Sequence, residues 1–166
     1  DFLYEIDKVI KSFNCQQLKE LLKLKQQQIQ ILNNDLEIFR KFIKEINEEE
    51  IILNSAYKIA FNNSERADGN YERTNYILLR CFSIGGSANG ECIIEEKKYF
   101  EARIEMKKLE ELEQIAFSKL NKVQNQRKKY VKLLKQVRKD IQKLKTEIIV
   151  IRKKMLSMNC PKENNS

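Results

Sequence analysis

Glycine and proline, the residues that interrupt helices most strongly, are confined to one window and one end of this chain. The four Gly are Gly69, Gly85, Gly86 and Gly90, and the single Pro is Pro161. Residues 1–68 and 91–160 contain neither, so two long stretches hold no residue that must break a helix. The period-two alternation of strands is scarce, and the chain is expected to be all-α. An apolar fraction of 42% at regular spacing argues against disorder.

A heptad template makes the expectation specific. In the first stretch the a positions are Cys15, Leu22, Ile29, Leu36, Ile43, Glu50 and Tyr57, and the d positions are Leu18, Lys25, Leu32, Phe39, Ile46, Leu53 and Ala60. Only Lys25 and Glu50 break this seam. In the second stretch the frame runs from Cys92 and Glu95 to Met155 and Met158, and 17 of 20 positions are apolar, Glu95, Glu113 and Arg127 being the exceptions. A 3–4 spacing sustained this long is a coiled-coil signature. The first frame continues through Ser64, Ala67, Tyr71, Thr74 and Leu78 to Cys81, with a polar weak point at 62–70 that is expected to be a kink or a short loop.

Cysteine spacing tests the same picture independently. Cys15 and Cys81 are 66 residues apart, and Cys92 and Cys160 are 68 apart. Folding the chain at Ser83–Gly90 therefore brings Cys81 to Cys92 and Cys15 to Cys160, which predicts two disulfides. The same fold sets Glu50 near Arg127. The expected architecture is a long antiparallel coiled-coil helical hairpin stapled by two disulfides, or its bent three-helix variant. It forms a single domain over 1–161: a short helix in 1–13, a first arm at 15–81, a tip at 82–91 and a second arm at 92–160. Residues 162–166 read as a disordered tail. Asn14 with Gln17 is a capping box for the first arm, and Asn89 is the expected cap of the second.

Phe2, Ile6, Val9 and Phe13 share one helical face that is out of phase with the arm, so the N-terminal helix is expected to pack on its side. The first arm offers a second apolar stripe at c and g positions, formed by Leu21, Leu24, Ile31, Ile38, Phe42, Ile52 and Ile59. A helix of about 13 residues spans ~20 Å, enough for Leu21 to Ile31. That leaves a candidate partner-binding stripe of Ile38, Phe42, Ile52 and Ile59, and self-association is its plainest use.

Charge is unevenly placed. Lys119–Lys154 holds 14 Lys+Arg against Asp140 and Glu147, while the rest of the chain has 18 basic and 22 acidic residues. A candidate polyanion-binding face comprises Lys128, Lys129, Lys132, Lys135, Arg138, Lys139, Lys143 and Lys145. Such a ridge attracts a sulfated glycan, a nucleic acid or an anionic membrane surface, and no aromatic is interleaved on it for base stacking. With no His in the chain, His catalysis and His metal ligation are excluded. The cysteines form no CxxC pair, and no catalytic, metal or cofactor site is expected. The longest aliphatic run, Ile148–Ile151, is too short for a membrane span.

Disulfides imply an oxidising compartment. The chain starts with neither Met nor a signal sequence and reads as processed or truncated. It is expected to be a secreted, non-enzymatic binding protein for a macromolecular partner such as a host molecule. The alternative is an intracellular coiled-coil scaffold with reduced cysteines. Asn62-Asn63-Ser64 is a glycosylation sequon at the weak point.

Overall fold

The computed structural model describes residues 2–85 and 91–162, with side chains from Leu3 onward. The expected cap at Asn89 and the tail residues 163–166 lie outside the described residues. Three helices follow one another: α1 at Phe2–Ile10, α2 at Cys15–Ser83 and α3 at Ile93–Ser157. Among the described residues there is no strand. α2 and α3 pack together as a helical hairpin, joined by disulfides Cys15–Cys160 and Cys81–Cys92. Both expected bridges form.

α2 is one helix of 69 residues, so the kink or loop expected at 62–70 does not occur, nor does the bent three-helix variant. The reason lies in the seam. Ser64 and Ala67, at a and d, are 2% and 7% exposed, and these small side chains keep the segment packed. Gly69 sits on the exposed side with nothing within 4 Å of its Cβ position. Its intrinsic penalty of about 1 kcal/mol is small in a helix held from both ends. Every a and d position of α2 from Cys15 to Cys81 is buried or half-buried, and so is every one of α3 from Cys92 to Met155.

The chain divides into two compact units. The first comprises Asp1–Lys44 and Lys128–Ser166. Its core combines Ile6 and Ile10 of α1, Leu18 and Leu22 of α2, and Ile148, Ile151 and Met155 of α3, with Phe13, Leu21 and Val150 packed against it. α1 thus enters the core rather than merely lying beside it. Its buried face is Ile6 and Ile10, because an i, i+4 pair stacks along one side of a helix, and Phe13, just past the helix, packs half-buried on the same core. Val9, expected on that face, points to solvent, as do Leu24 and Ile31. Of the stripe offered to α1, only Leu21 is covered.

The ends of these helices are closed by local chemistry. Asn14 and Gln17 form the expected capping box: the Gln17 amide donates to Asn14 Oδ1 at 2.8 Å, and the Asn14 amide donates to Gln17 Oε1 at 3.0 Å. At the end of α3, Asn159 takes the left-handed conformation, φ 55°. The Cys160 amide then reaches the Met155 carbonyl at 3.0 Å, and the Asn159 amide the Leu156 carbonyl at 3.1 Å. This is a Schellman closure with Asn in the usual glycine place. It turns Cys160 back toward Cys15, to a Cα–Cα distance of 5.5 Å. Closing a loop 145 residues apart removes unfolded-state entropy worth about 5 kcal/mol.

The second unit is Glu45–Arg127. Ile46, Ala67, Leu78, Ala102, Leu120 and Val123 are buried in its seam. Tyr71 and Tyr99 meet across it, hydroxyl to hydroxyl, at 3.0 Å. α2 ends where Gly85 adopts φ +85°, and its amide donates to the Phe82 carbonyl at 3.0 Å. The Cys92 carbonyl accepts the Glu96 amide at 2.9 Å, so α3 starts from the disulfide itself, with Glu95 and Glu96 favourably placed in its first turn.

The core assignment of α1 is testable by urea unfolding. Ile10→Ala should lose about 2–5 kcal/mol as a large-to-small core change. Val9→Ala should stay within ~0.5 kcal/mol as a surface change.

Candidate binding surfaces

Ion pairs inside the seam remove some charged groups from any surface role. Lys25, at a d position, pairs with Glu147 at 2.7 Å, and Glu147 is 8% exposed in its side chain. Sequence reasoning marked Lys25 as a defect but found no partner, because Glu147 stands at a flanking g position. Glu50 and Arg127, the pair expected from the fold, meet at 3.2 Å, and Gln124 donates to Glu50 at 3.4 Å.

The basic face lies in the first unit. Lys128, Lys129, Lys132, Lys135, Arg138, Lys139, Lys143 and Lys145 are all exposed on α3. They occupy the b, c, e and f positions, away from the seam. Of the two acids of the surrounding stretch, Glu147 pairs with Lys25, and Asp140 accepts a hydrogen bond from Gln136 at 2.9 Å while keeping its charge. Seven neighbouring cations, Lys143 aside, thus stand on about five turns of one helix. Tyr130 is not available to stack on a ligand. It is half-buried, with ring centroids 6.1 Å from Phe39 and 5.5 Å from Phe42.

The stripe residues Ile38, Phe42, Ile52 and Ile59 are all exposed, Phe42 least, because Tyr130 leans on it. In the second unit Ile52 and Ile59 are 69% and 63% exposed. Sequence reasoning missed a further apolar concentration around the Cys81–Cys92 bridge. Around it the structure exposes Ile77, Leu79, Phe82, Ile84, Ile93 and Ile94. Their signal was present as off-frame isoleucines and leucines, which a heptad count discards.

The second unit also gathers carboxyls. Asp68 of α2 and Glu110 and Glu113 of α3 line one open groove with Tyr57, Ser64 and Phe117. One oxygen of Asp68 is buried with no hydrogen-bond partner. Desolvation pushes the Glu110 carboxyl above its usual range, reinforced by Asp68, through a shared hydrogen bond and charge, and by the charge of Glu113, against Lys107. A proton on Glu110 supplies the donor that two ionised carboxylates lack. Nothing in the local sequence marks Glu110, since the cluster exists only once the helices are paired. Hydrogen bonding to Tyr99 similarly raises Tyr71, helped by desolvation and opposed by Arg103.

Among the described residues, no group of three or more His, Cys, Asp or Glu is arranged to hold a metal ion. Nor is any described helix long and apolar enough to cross a membrane.

Two measurements check these assignments. Glu147→Ala strands the Lys25 ammonium in the seam and should lose about 2–3 kcal/mol in urea unfolding, whereas Lys25→Leu with Glu147→Leu should be near neutral. A carboxyl raised by folding favours the fold below its unfolded pKa, and that contribution fades as pH rises through the folded value. Glu110→Gln should therefore raise the melting temperature at pH 7 and leave it unchanged or lower at pH 4, followed by circular dichroism.

No protein-family model, curated protein or solved structure matches this chain, so the functional reading rests on its own geometry.

Proposed function

We propose that this protein is a secreted, non-catalytic helical binding protein that holds a sulfated glycan on the basic face of α3. The observation that carries the reading is the exposed run from Lys128 to Lys145, where Asp140 is the one acid within the run and the nearby Glu147 pairs with Lys25. The face presents cations over about 25 Å of helix, a span suited to a linear polymer with regularly spaced negative charges. Two disulfides favour an oxidising compartment, where sulfated polysaccharides of cell surfaces and matrices are the abundant polyanions. Lysine supplies most of the face, and as a hydrated point charge it attracts without fixing a precise geometry. Binding of this kind is broad in ligand and steeply dependent on salt.

Heparin chromatography tests the reading. The wild-type chain should be retained at physiological ionic strength and elute as salt rises. Lys128→Glu, Lys132→Glu, Lys135→Glu and Lys139→Glu together should abolish retention, while circular dichroism stays unchanged because all four are exposed. Retention that survives the four reversals overturns the assignment, as does an equal loss of retention when Lys97 and Lys98 are reversed instead.

A further inference from the structure

The first unit has two flanks, and they differ in charge. In an antiparallel pair of helices the c and g positions of both share one flank, and the b and e positions of both share the other. α1 lies on the first, where Leu21 at g of α2 and Val150 at c of α3 pack on its core. Asp35 of α2 and Asp140 and Glu147 of α3 also stand at g positions, matching in number Lys129, Lys143 and Lys154 at c and g. This flank carries no excess of charge.

The b and e flank is the reverse. Within residues 15–44 and 128–157 its eighteen positions hold nine Lys or Arg and a single acid, Glu37. Four of the nine, Lys19, Lys23, Arg40 and Lys44, belong to α2 and are exposed. From the basic run of α3, Lys128, Lys135, Arg138 and Lys145 fall on the same flank. The Lys25–Glu147 and Phe42–Tyr130 contacts fix the register. It sets Lys44 level with Lys128, and Arg40 within one turn of Lys135. Exposed amides, Gln26, Gln30, Asn33 and Gln142, occupy the middle of the flank.

We infer that the polyanion site is this whole flank, with Lys23, Arg40 and Lys44 of α2 as binding residues, and that the sulfated chain runs along both helices. The inference rests on the glycan reading and deepens it. Lys19 to Lys44 span about 38 Å at 1.5 Å per residue, a track for a linear polymer. The amides donate and accept hydrogen bonds, so they match the hydroxyl and sulfate oxygens of a sugar chain. No aromatic stands at these b and e positions to stack a base. Lys129, at c, lies on the α1 flank and is outside the site.

Heparin binding by the full disulfide-bonded chain, measured by titration calorimetry at physiological ionic strength, tests the inference. Arg40→Glu with Lys44→Glu should weaken binding roughly tenfold or more, as two attractions become repulsions. Lys8→Glu with Lys11→Glu changes the net charge equally on the other flank, and should stay within roughly twofold because salt screens distant exposed charges. A second readout needs no variant. With heparin bound, Lys23 and Lys44 should be protected from acetylation by an N-hydroxysuccinimide ester, read by peptide mass spectrometry, and Lys8, Lys11 and Lys129 should not. The inference fails if the Arg40 and Lys44 reversal weakens binding no more than the Lys8 and Lys11 reversal, or if Lys23 and Lys44 stay reactive. If the four α3 reversals still abolish retention in that case, the glycan reading stands without it. A wild type that does not bind heparin removes both.

Discussion

A seam between two helices is a narrow strip. Each layer seats one a and one d residue from either side and leaves the rest of the circumference in water, so little apolar surface is buried per residue ordered. Most of the structure follows from that shortage. The side chains most completely buried are Ile10, Leu18, Leu22, Ile151 and Cys92. Four of the five lie in the first unit, where α1 adds a third helix to the pair. Where no third helix is present, Ala67, Ala102 and Ser64 hold the backbones close, and aromatic contacts such as Tyr57 with Phe117 at 5.7 Å fill the margin. The disulfides compensate from the other side of the equilibrium by limiting the unfolded chain.

The seam charges serve alignment more than stability. A buried ion pair gains little over apolar packing, but a slipped register would strand Lys25 or Glu50 without a counter-charge. Each unit contains one such pair, Lys25–Glu147 in the first and Glu50–Arg127 in the second. Polar seam residues that select one alignment among several are a common device in coiled coils. The Glu110 carboxyl, raised by desolvation and by the neighbouring Asp68 and Glu113, works against the fold at neutral pH.

A thin core also means much outward surface, and the two units use it differently. In the first, α3 displays an exposed face rich in Lys and Arg. In the second, exposed isoleucines and leucines accumulate on one flank and around the Cys81–Cys92 bridge. Charge and apolar surface thus fall on different parts of the same helices, which lets one chain present two chemically distinct faces.

Much of this was legible because it is periodic or paired. The heptad frame predicts every buried seam position of α2, including those through 62–70, and the near-equal cysteine spacings identify both disulfides and the Glu50–Arg127 contact. Asn14 and Gln17 announce their cap through residues three apart. What escaped was whatever depends on a rotation or on a neighbour from another helix. The face of α1 is set by Ile10 rather than Val9, since Val9 and Ile10 are adjacent and only packing against Leu18 and Ile151 chooses between them. Glu147 looks like a surface charge until Lys25 arrives from α2, and Glu110 looks solvated until Asp68 faces it. Asn159 takes a glycine-like conformation that its identity permits but does not demand. The amino-acid order alone therefore determined the helices, their pairing and their staples, because these rest on spacing along the chain. Only the tertiary structure decided which charges are neutralised and which apolar residues remain in water, because those outcomes depend on distances between residues far apart in the sequence.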